Sequence, residues 1–571
     1  MDSSIIAHMY LRESRQKRAD GSVLTHLQLA ENIWDAEKQR ARVQIVYNCG
    51  RADDAESTER LRRLAKSILR RCAPEEIAAE NADWQVVNAW GHGDLYVLEQ
   101  LWRRVGVPQV IAEVLAGRKF DFDVERALFA MIANRCLAPA SKLYCYEQWL
   151  KEEVQLEGAA ELQLQHLYRA MDFLEANKQP IEKALYFRLA DLLNLDVEIV
   201  FYDTTSLHFE VDEEDHGVGE RDEVRGSVAA GAKTYAAPRK RGHSKNGRFD
   251  APQIVVGLAV TRDGFPVRHW VFPGHTVDVT TVAQVKADLK GWQLSRCVFV
   301  GDAGMVSKAN LETLAKSGGK YILCMPIHPG GEVAKEVITR PGRYQKVADN
   351  LEVKEVTVGD GERRRRYVVC YNTEEAQRQR RHREQVLEEL TAEIDSLAEQ
   401  TGSTHAKRVC ELRASGRYGR YLRLTKTGKP RIDAARIDEL EKLDGKFVVH
   451  SNDDTLSAAD LALGYKQLQR VEIAWRALKS GLKLRPVYHW AAHRIHAHVA
   501  LTVLALLLER LAEKACADTW RNIRADLKRI KLAQLLSPNG TVWQVTEPPP
   551  DALKRLKSLK IEKPPPILHL A

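Results

Sequence analysis

Short apolar runs separated by turns predict a sheet in the middle of the chain. Between Leu195 and Met325 they recur at 199–202, 254–260, 267–272, 298–300 and 321–325, with helical patterns near 280–290 and from Lys308. Runs that stay apolar over this length are typical of strands buried on both faces. Since these strands alternate with helices, the pattern predicts an α/β domain whose central sheet is covered by helices.

Helical periodicity prevails from Asp94 to about residue 194, and 123–133 is its clearest helix. The residues before it are mixed. Strand-like composition occurs at 43–47 and 84–87, and 57–72 is a basic helix candidate. These patterns predict a mixed α/β region followed by a helical domain.

The segment 327–450 interrupts the α/β pattern with strand candidates at 367–371 and 446–450 and a long charged helix over 373–414. Four apolar residues form one seam along that helix: Leu387, Leu390, Ile394 and Leu397. The seam favours packing within its own domain over a coiled-coil dimer. The proline- and lysine-rich end from Pro538 is expected to be extended or poorly ordered.

The predicted domains follow these changes of pattern. They are a mixed α/β region at 1–90 with possible DNA-end recognition, a helical domain at 91–194, a first core part at 195–326, an insertion at 327–450, C-terminal core helices at 451–535 and a tail at 536–571.

Charge, cysteine content and the length of apolar runs limit the classes of protein to which the chain can belong. The chain has 571 residues and a formal net charge of +8, with its basic residues in patches. Nine scattered cysteines without a Cys-x-x-Cys pair are typical of reduced thiols. We find no signal peptide, and the longest apolar run, 499–508, is too short to cross a bilayer and predicts a buried core helix. We therefore expect a cytoplasmic protein without membrane association and with an anionic partner.

Three acidic residues suggest a site. Asp203 and Asp302 each follow an apolar strand candidate, and Glu472 lies on a basic helix predicted over 465–479. Burying a carboxylate costs free energy unless a cation or hydrogen bonds compensate it. Three carboxylates that converge at a sheet edge would suit hard divalent ions such as Mg²⁺ or Mn²⁺. Either aspartate alone is more often a turn former or a helix cap.

Several motifs resemble one family in their residues and their order. They are Tyr-Asp-Thr-Thr at 202–205, Gly-Asp-Ala-Gly-Met at 301–305, Tyr465 with Glu472 and Lys479, Arg-Pro-Val-Tyr-His at 485–489, Asn-Arg-Cys-Leu-Ala-Pro-Ala-Ser-Lys at 134–142, Gly-His-Ser-Lys at 242–245 with Pro-Gln at 252–253, and Asp-Gly-Lys-Phe at 444–447. Together they resemble the DDE transposases of the insertion-sequence-4 superfamily, closest to its 1634 group.

The resemblance implies an RNase H-like core, a mixed sheet flanked by helices, with a largely β insertion plus a long helix and a helical N-terminal region. It implies two Mg²⁺ (or Mn²⁺) ions held by Asp203, Asp302 and Glu472 as the catalytic triad. Tyr465 and Lys479 match the helical signature of the superfamily, but Leu468 stands where an arginine is expected. The implied partners are double-stranded DNA, as terminal inverted repeats and target, and a second copy of the chain.

Other residues are candidates for DNA contact by their chemistry. Residues 225–248 carry seven basic and no acidic side chains, among them Lys240, Arg241 and Lys245. This segment is either a mobile loop on the DNA backbone or an ordinary solvated loop. Arg476 lies near the face of Glu472, and Trp475 or Tyr418 could stack on a base.

Two alternatives to an active transposase remain open on the sequence. One is a transposase-derived DNA-binding protein that no longer catalyses, and the other is a metal-dependent nuclease without strand transfer. A histidine group at 489–498 could also suggest zinc, but its position at the start of an apolar helix favours a role in packing or in contact with the DNA backbone.

Overall fold

The computed structural model describes residues 9–568 with internal gaps. The gaps are residues 19–21, 36, 39, 74–83, 194–197, 216–236, 293, 295–296, 362–363, 398–401 and 538–539. The chain divides into two compact units, 1–89 with 533–544, and 90–532 with 545–571. This division is coarser than the six predicted domains, whose individual bounds stay predictions.

The first unit begins with an antiparallel sheet of β1 (Met9–Lys17), β2 (Val23–Asp35) and β3 (Arg40–Arg51), in that order. Helix α1 (Ala55–Leu69) follows, and the Asp54 side chain caps it by accepting from the backbone of Ser57. This unit also contains most of β4 (Gln85–Gly91). The strand predicted at 43–47 and the basic helix predicted at 57–72 are confirmed. Contrary to what the resemblance implied, the N-terminal region as a whole is not mainly helical, because helices predominate only from residue 93.

A helical layer opens the second unit, as the pattern from Asp94 predicts. Its helices are α2 (Gly93–Val105), α3 (Val107–Leu115), α4 (Val124–Leu137), α5 (Leu164–Ala176) and α6 (Lys178–Leu192). α4 is buried on almost every side because its residues from Ala127 to Leu137 are nearly all apolar. It therefore belongs to the core of this unit and not to its surface.

The central sheet contains the predicted strands as β5 (Ile199–His208), β6 (Gln253–Thr261), β7 (Pro266–Pro273), β8 (Val298–Gly301) and β9 (Lys320–Met325). They lie in the order β7-β6-β5-β8-β9. The first three pair antiparallel, whereas β8 is parallel to both β5 and β9. This is the RNase H-like arrangement. Helices α7 (Asp278–Lys290) and α8 (Lys308–Ala315) pack on the sheet through an apolar cluster that includes Tyr202, Val282 and Leu314.

The insertion continues the same sheet. Its strands β10 (Gln345–Ala348), β11 (Leu351–Val358) and β12 (Arg365–Tyr371) lie beyond β9, joined to it through β15 (Lys446–Ser451). A two-stranded ribbon of β13 (Leu422–Leu424) and β14 (Pro430–Ile432) accompanies them. The nine strands thus form one continuous ladder, because β15 pairs antiparallel with β9.

The charged helix of the insertion is two helices, not one. They are α9 (Thr373–Leu397) and α10 (Gly402–Ala414), and α11 (Ala434–Glu441) follows. Leu390 and Leu397 are buried against other side chains of the insertion, including Tyr421 and Leu412. The predicted packing of the leucine seam within its own domain is therefore confirmed.

The C-terminal helices are α12 (Ala458–Lys466), α13 (Gln469–Arg476), α14 (Ala492–Cys516) and α15 (Trp520–Leu527). Among the described helices α14 alone is long and apolar enough to cross a membrane, and 83% of its most apolar window is buried inside the protein. It packs against α4 and α5. The prediction that 499–508 is a core helix is confirmed.

The C-terminal tail is more ordered than its composition predicts. It contains β16 (Lys531–Ser537), β17 (Gly540–Val545), α16 (Pro550–Leu559) and β18 (Ile567–Leu568). Ala552, Leu556 and Leu559 bury one side of α16. The tail is extended at β17 and β18, which is one of the two expected states, but α16 was not expected. The prolines begin and follow this helix, which has a regular apolar face.

Candidate active site

Asp203 and Asp302 occupy equivalent positions on neighbouring parallel strands. The register pairs Phe201 with Val300, so two residues further along each strand the two aspartates lie side by side. Adjacent strands are about 4.8 Å apart. Asp302 directly follows β8, as predicted, but Asp203 is not at a strand end, since β5 continues to His208.

The surroundings of Asp203 disfavour its negative charge. Burial raises the pKa of the Asp203 carboxyl to about 6, and the nearby carboxylates of Asp278 and Asp302 act in the same direction. The ammonium group of Lys245 and the backbone N–H of Thr204 oppose this rise. A carboxyl group whose charged form is disfavoured by burial and by negative neighbours is one that an added cation would stabilise.

Asp203, Asp278 and Asp302 together form what we call the acidic centre. The sequence did not single out Asp278. This residue begins α7, and its side chain accepts hydrogen bonds from the Thr204 hydroxyl and from Nζ of Lys245, the second at 2.8 Å. Lys245 also donates to the Thr204 carbonyl and hydroxyl oxygens, and its Nζ lies 3.8 Å from Asp203 Oδ1. An aspartate is common in the first turn of a helix, where it interacts favourably with the helix dipole. The position of Asp278 in the sequence therefore did not indicate a role in the site.

Tyr465 reaches the acidic centre from the other predicted motif. Its hydroxyl donates to Asp302 Oδ1 at 3.1 Å, and its ring packs on Phe447. The motif is not on one helix, however, because α12 ends at Lys466 and α13 starts at Gln469, followed by a wider helical turn at Ala477–Gly481. The prediction of a single helix over 465–479 is therefore wrong.

Glu472 lies on α13, which packs against β5 and β6, and its side chain is exposed. No described contact joins it to Asp203 or Asp302. Within the described ranges no three Asp, Glu, His or Cys side chains lie close enough to hold one metal ion. The oxygen donors of Asp203 and Asp302 fit a hard divalent cation, and the part of Glu472 as third ligand stays a prediction.

Lys479 connects the acidic centre to a cleft of about 730 Å³. Its Nζ lies 3.5 Å from Asn246 Oδ1, and burial lowers the pKa of its ammonium group, with Arg485 and Lys245 adding to the effect and Asp203 opposing it. Arg485 lines the same cleft and donates to Nδ1 of His208. Within the described part of the chain neither Lys479 nor Arg485 forms an ion pair within 4.0 Å.

Two exposed aromatic side chains border this cleft. Tyr488 and Trp490 are 63% and 60% exposed, whereas His489 between them is half-buried beside the rings of Tyr168 and His498. The guanidinium of Arg239 lies 4.6 Å from the centre of the Trp490 ring. The cleft thus combines unpaired cations with planar apolar surfaces, the combination that single-stranded nucleic acid binds. The sequence placed Tyr488 in the family motif but assigned it no contact, and it did not single out Trp490.

The remaining predicted DNA contacts differ in exposure. Arg476 is exposed, whereas Trp475 is only 5% exposed and cannot stack on a base without leaving the core. Lys240 donates to the Asp215 carbonyl, and Arg241 donates to those of Asp212 and Asp250. Because Trp475 is buried, the prediction that its ring stacks on a base is contradicted. Residues 225–236 of the basic segment lie outside the described residues.

Tyr418 and the histidines are held by internal partners. The Tyr418 hydroxyl donates to Glu389 at 3.1 Å. His498 is buried and hydrogen-bonds through Nε2 to the Leu484 carbonyl, while His493 pairs with Asp172 at 3.1 Å. These contacts agree with a packing role for the histidines.

Two family models match parts of this chain. The family model described as "Transposase DDE domain" matches residues 208–508, a range that contains Asp302 and Glu472 and begins just after Asp203. The model described as "IS1634 family transposase, N-terminal domain" matches residues 11–80. No curated protein matches the chain.

Among solved structures, a piggyBac transposase synaptic complex with hairpin DNA is similar at 9% identity over 76% of this chain and 80% of that chain. Its TM-score of 0.33 is too low to support an argument about this protein. The family assignment depends instead on the first family match, which covers more than half of the chain. The chain belongs to the transposase DDE domain family, and its N-terminal match places it in the IS1634 group of insertion-sequence transposases.

Proposed function

We propose that the protein cuts phosphodiester bonds at the terminal inverted repeats of an insertion sequence and joins the freed 3′-hydroxyl groups to target DNA. The observation that carries this proposal is the juxtaposition of Asp203 and Asp302 on parallel strands, with Tyr465 bonded to Asp302. Membership of the family supports a nucleic-acid substrate.

Mg²⁺ or Mn²⁺ would be held by Asp203 and Asp302, with Glu472 as the proposed third ligand. When bound, such a cation would stabilise negative charge on the attacking and leaving oxygens of the phosphodiester. Tyr465 would orient the Asp302 carboxylate by its hydrogen bond. Lys479 and Arg485 would neutralise phosphates beside the acidic centre, since no ion pair with another described residue engages them.

We further propose that the protein acts as a homodimer on DNA, in the cytoplasm and on the nucleoid of a bacterium. Two ends of an element have to be brought together before they are joined to one target, and a symmetric pair of subunits does this with one kind of interface. Size-exclusion chromatography with light scattering, with and without a repeat-end duplex, measures this directly. A complex that contains one subunit for each pair of ends would contradict the dimer.

The experiment that tests the function uses a labelled repeat end, a plasmid target and Mg²⁺. Joined product supports the transposase. Unjoined nicks would instead indicate a metal-dependent nuclease, and a shifted but uncut band would indicate an inactive DNA-binding protein.

Carboxylate variants test which residues form the site. Asp203→Asn, Asp302→Asn and Glu472→Gln are each expected to abolish cutting while DNA binding stays within about twofold, because each removes a negative ligand without changing shape. Asp263→Asn is the matched control, since its side chain pairs with Lys514 away from the acidic centre. Cutting by any one of the three variants at the wild-type rate would remove that residue from the site.

A further inference from the structure

Lys245 lies inside the acidic centre, although its place in a basic segment predicted a contact with DNA. Its ammonium group has three N–H donors, and three acceptors lie within 2.9 Å of Nζ: the Thr204 carbonyl, the Thr204 hydroxyl and Asp278 Oδ2. Asp203 Oδ1, at 3.8 Å, is too distant for a hydrogen bond. The attraction between Lys245 and Asp203 is therefore one of charge alone.

The backbone also fixes Lys245 at this position. Its N–H donates to the Ser206 hydroxyl at 2.9 Å, and the neighbouring Asn246 side chain donates to the Ser206 carbonyl at 2.7 Å. Both bonds attach the loop to β5, the strand that carries Asp203. The lysine is thus directed at Asp203 by the same strand that presents this carboxylate.

We propose that Lys245 is an internal counter-ion of the acidic centre, positioned by Thr204 and Asp278, and that it competes with a divalent cation for the carboxylate of Asp203. This inference depends on the proposed function, because it assumes that Asp203 is a metal ligand.

The competition follows from the charges. A divalent cation carries twice the charge of an ammonium group and can contact the carboxylate oxygens directly, whereas Lys245 offers Asp203 no hydrogen bond. Without metal, the lysine reduces the repulsion among Asp203, Asp278 and Asp302. As the metal concentration rises, the lysine has to give up this interaction, so metal affinity is lower than the carboxylates alone would provide.

The test uses the full-length protein without DNA. Lys245→Met keeps the length of the side chain but removes its charge, and Mn²⁺ affinity is measured by titration calorimetry. We expect Mn²⁺ to bind about tenfold more tightly, a change that corresponds to about 1.4 kcal/mol. Two unit charges at this distance and an effective dielectric constant near 20 permit a change of that size.

Lys240→Met is the matched control, because Lys240 lies in the same segment but bonds to Asp215. Its Mn²⁺ affinity is expected to equal that of the wild type. A second signature is thermal stability: Lys245→Met should melt at a lower temperature than the wild type in EDTA, and the difference should shrink in saturating Mn²⁺. Unchanged Mn²⁺ affinity in Lys245→Met would overturn the proposal.

A measurement on the wild type covers the case in which the variant does not fold. Lysine acylation followed by mass spectrometry is carried out in EDTA and in Mn²⁺. We expect Lys245 to be labelled several-fold faster in Mn²⁺ while the labelling rate of Lys240 stays constant, because a cation bound at Asp203 repels the ammonium group and weakens its contacts with its three acceptors. Equal Lys245 rates in the two conditions would also overturn the proposal.

These results can be separated from a failure of the proposed function. Wild-type protein that joins repeat ends but shows no effect at Lys245 would leave the transposase intact and reject the counter-ion. Wild-type protein that neither binds Mn²⁺ nor cuts DNA would reject both.

Discussion

Asp203 is half-buried near Asp278 and Asp302, and its protonation is the residue-level property that solution conditions would change. Its folded-state pKa of about 6 lies above the ordinary value of 3.8. A group with a raised folded pKa contributes stability that is present below pH 3.8 and is lost as the pH rises through 6. The metal-free protein therefore carries unfavourable charge at neutral pH in the place where a cation would bind.

Mn²⁺ binding should weaken as the pH falls through 6, because the proton and the metal compete for the Asp203 carboxylate. Between pH 6 and pH 5 we expect the apparent dissociation constant to rise about fivefold for one displaced proton with a pKa of about 6. Calorimetric titrations at several pH values measure this. A dissociation constant that does not change between pH 7.5 and 5 would contradict the raised pKa.

Tyr465→Phe should slow cutting without weakening DNA binding. The variant keeps the ring on Phe447 but loses the hydrogen bond to Asp302. A hydrogen bond to a charged group contributes about 1.5–3 kcal/mol, so we expect a loss of roughly tenfold or more in the cleavage rate. Single-turnover cleavage and a mobility-shift assay separate the two effects. A wild-type rate would show that Asp302 is oriented without this tyrosine.

At the scale of elements, strands were predictable and interruptions were not. The apolar runs that became β6, β7, β8 and β9 are buried, so their composition reports their environment directly. The break between α12 and α13 gave no signal, because no proline or glycine marks residues 467–468. Tertiary packing therefore decided where this helix ends.

Long-range contacts explain why the sequence did not predict the position of Asp278 or the burial of Trp475. The Asp278 side chain meets Thr204, which lies 74 residues away in the chain, and pattern within one segment cannot predict such a contact. The burial of Trp475 likewise depends on how its helix packs on the sheet. Asp203 and Asp302 were identified because each follows a short apolar run in the sequence, although β5 continues past Asp203 to His208.

Two substitutions in helix α16 test whether the C-terminal tail is packed against the rest of its unit. Leu556→Ala should lower the free energy of unfolding by about 2–4 kcal/mol, because this side chain is 2% exposed and its removal leaves a cavity. Leu553→Ala, on the same helix but 40% exposed, is the control and should cost less than about 1 kcal/mol. Urea unfolding of both variants gives the comparison. Equal losses would mean that α16 does not pack as described.

At the scale of the whole molecule, positive charge outweighs negative by eight, but many of the described basic side chains have internal partners. Arg239 pairs with Asp215, and Arg383 with Asp444. Net charge alone therefore overstates the surface available to DNA. In the cleft that Lys479 and Arg485 line, cations and exposed aromatic rings occur together beside the acidic centre.

Arg485→Gln should weaken DNA binding at all sequences and reduce the salt dependence of the binding constant by about one phosphate contact. Arg248→Gln is the control, because Arg248 is already paired with Glu210 and Asp250. Fluorescence anisotropy at several salt concentrations measures both slopes. An unchanged slope for Arg485→Gln would mean that the cleft does not hold the DNA backbone.

The pairing of β15 with β9 limits how the protein can rearrange around its substrate. Four residue pairs, from Val448 with Met325 to Ser451 with Ile322, attach the insertion to the strand next to β8. To swing as an independent lobe, the insertion would have to break this ladder. A force that DNA exerts on β10–β12 would instead be transmitted in the plane of the sheet toward Asp302, so adjustments to DNA should arise in the outer helices α9–α11.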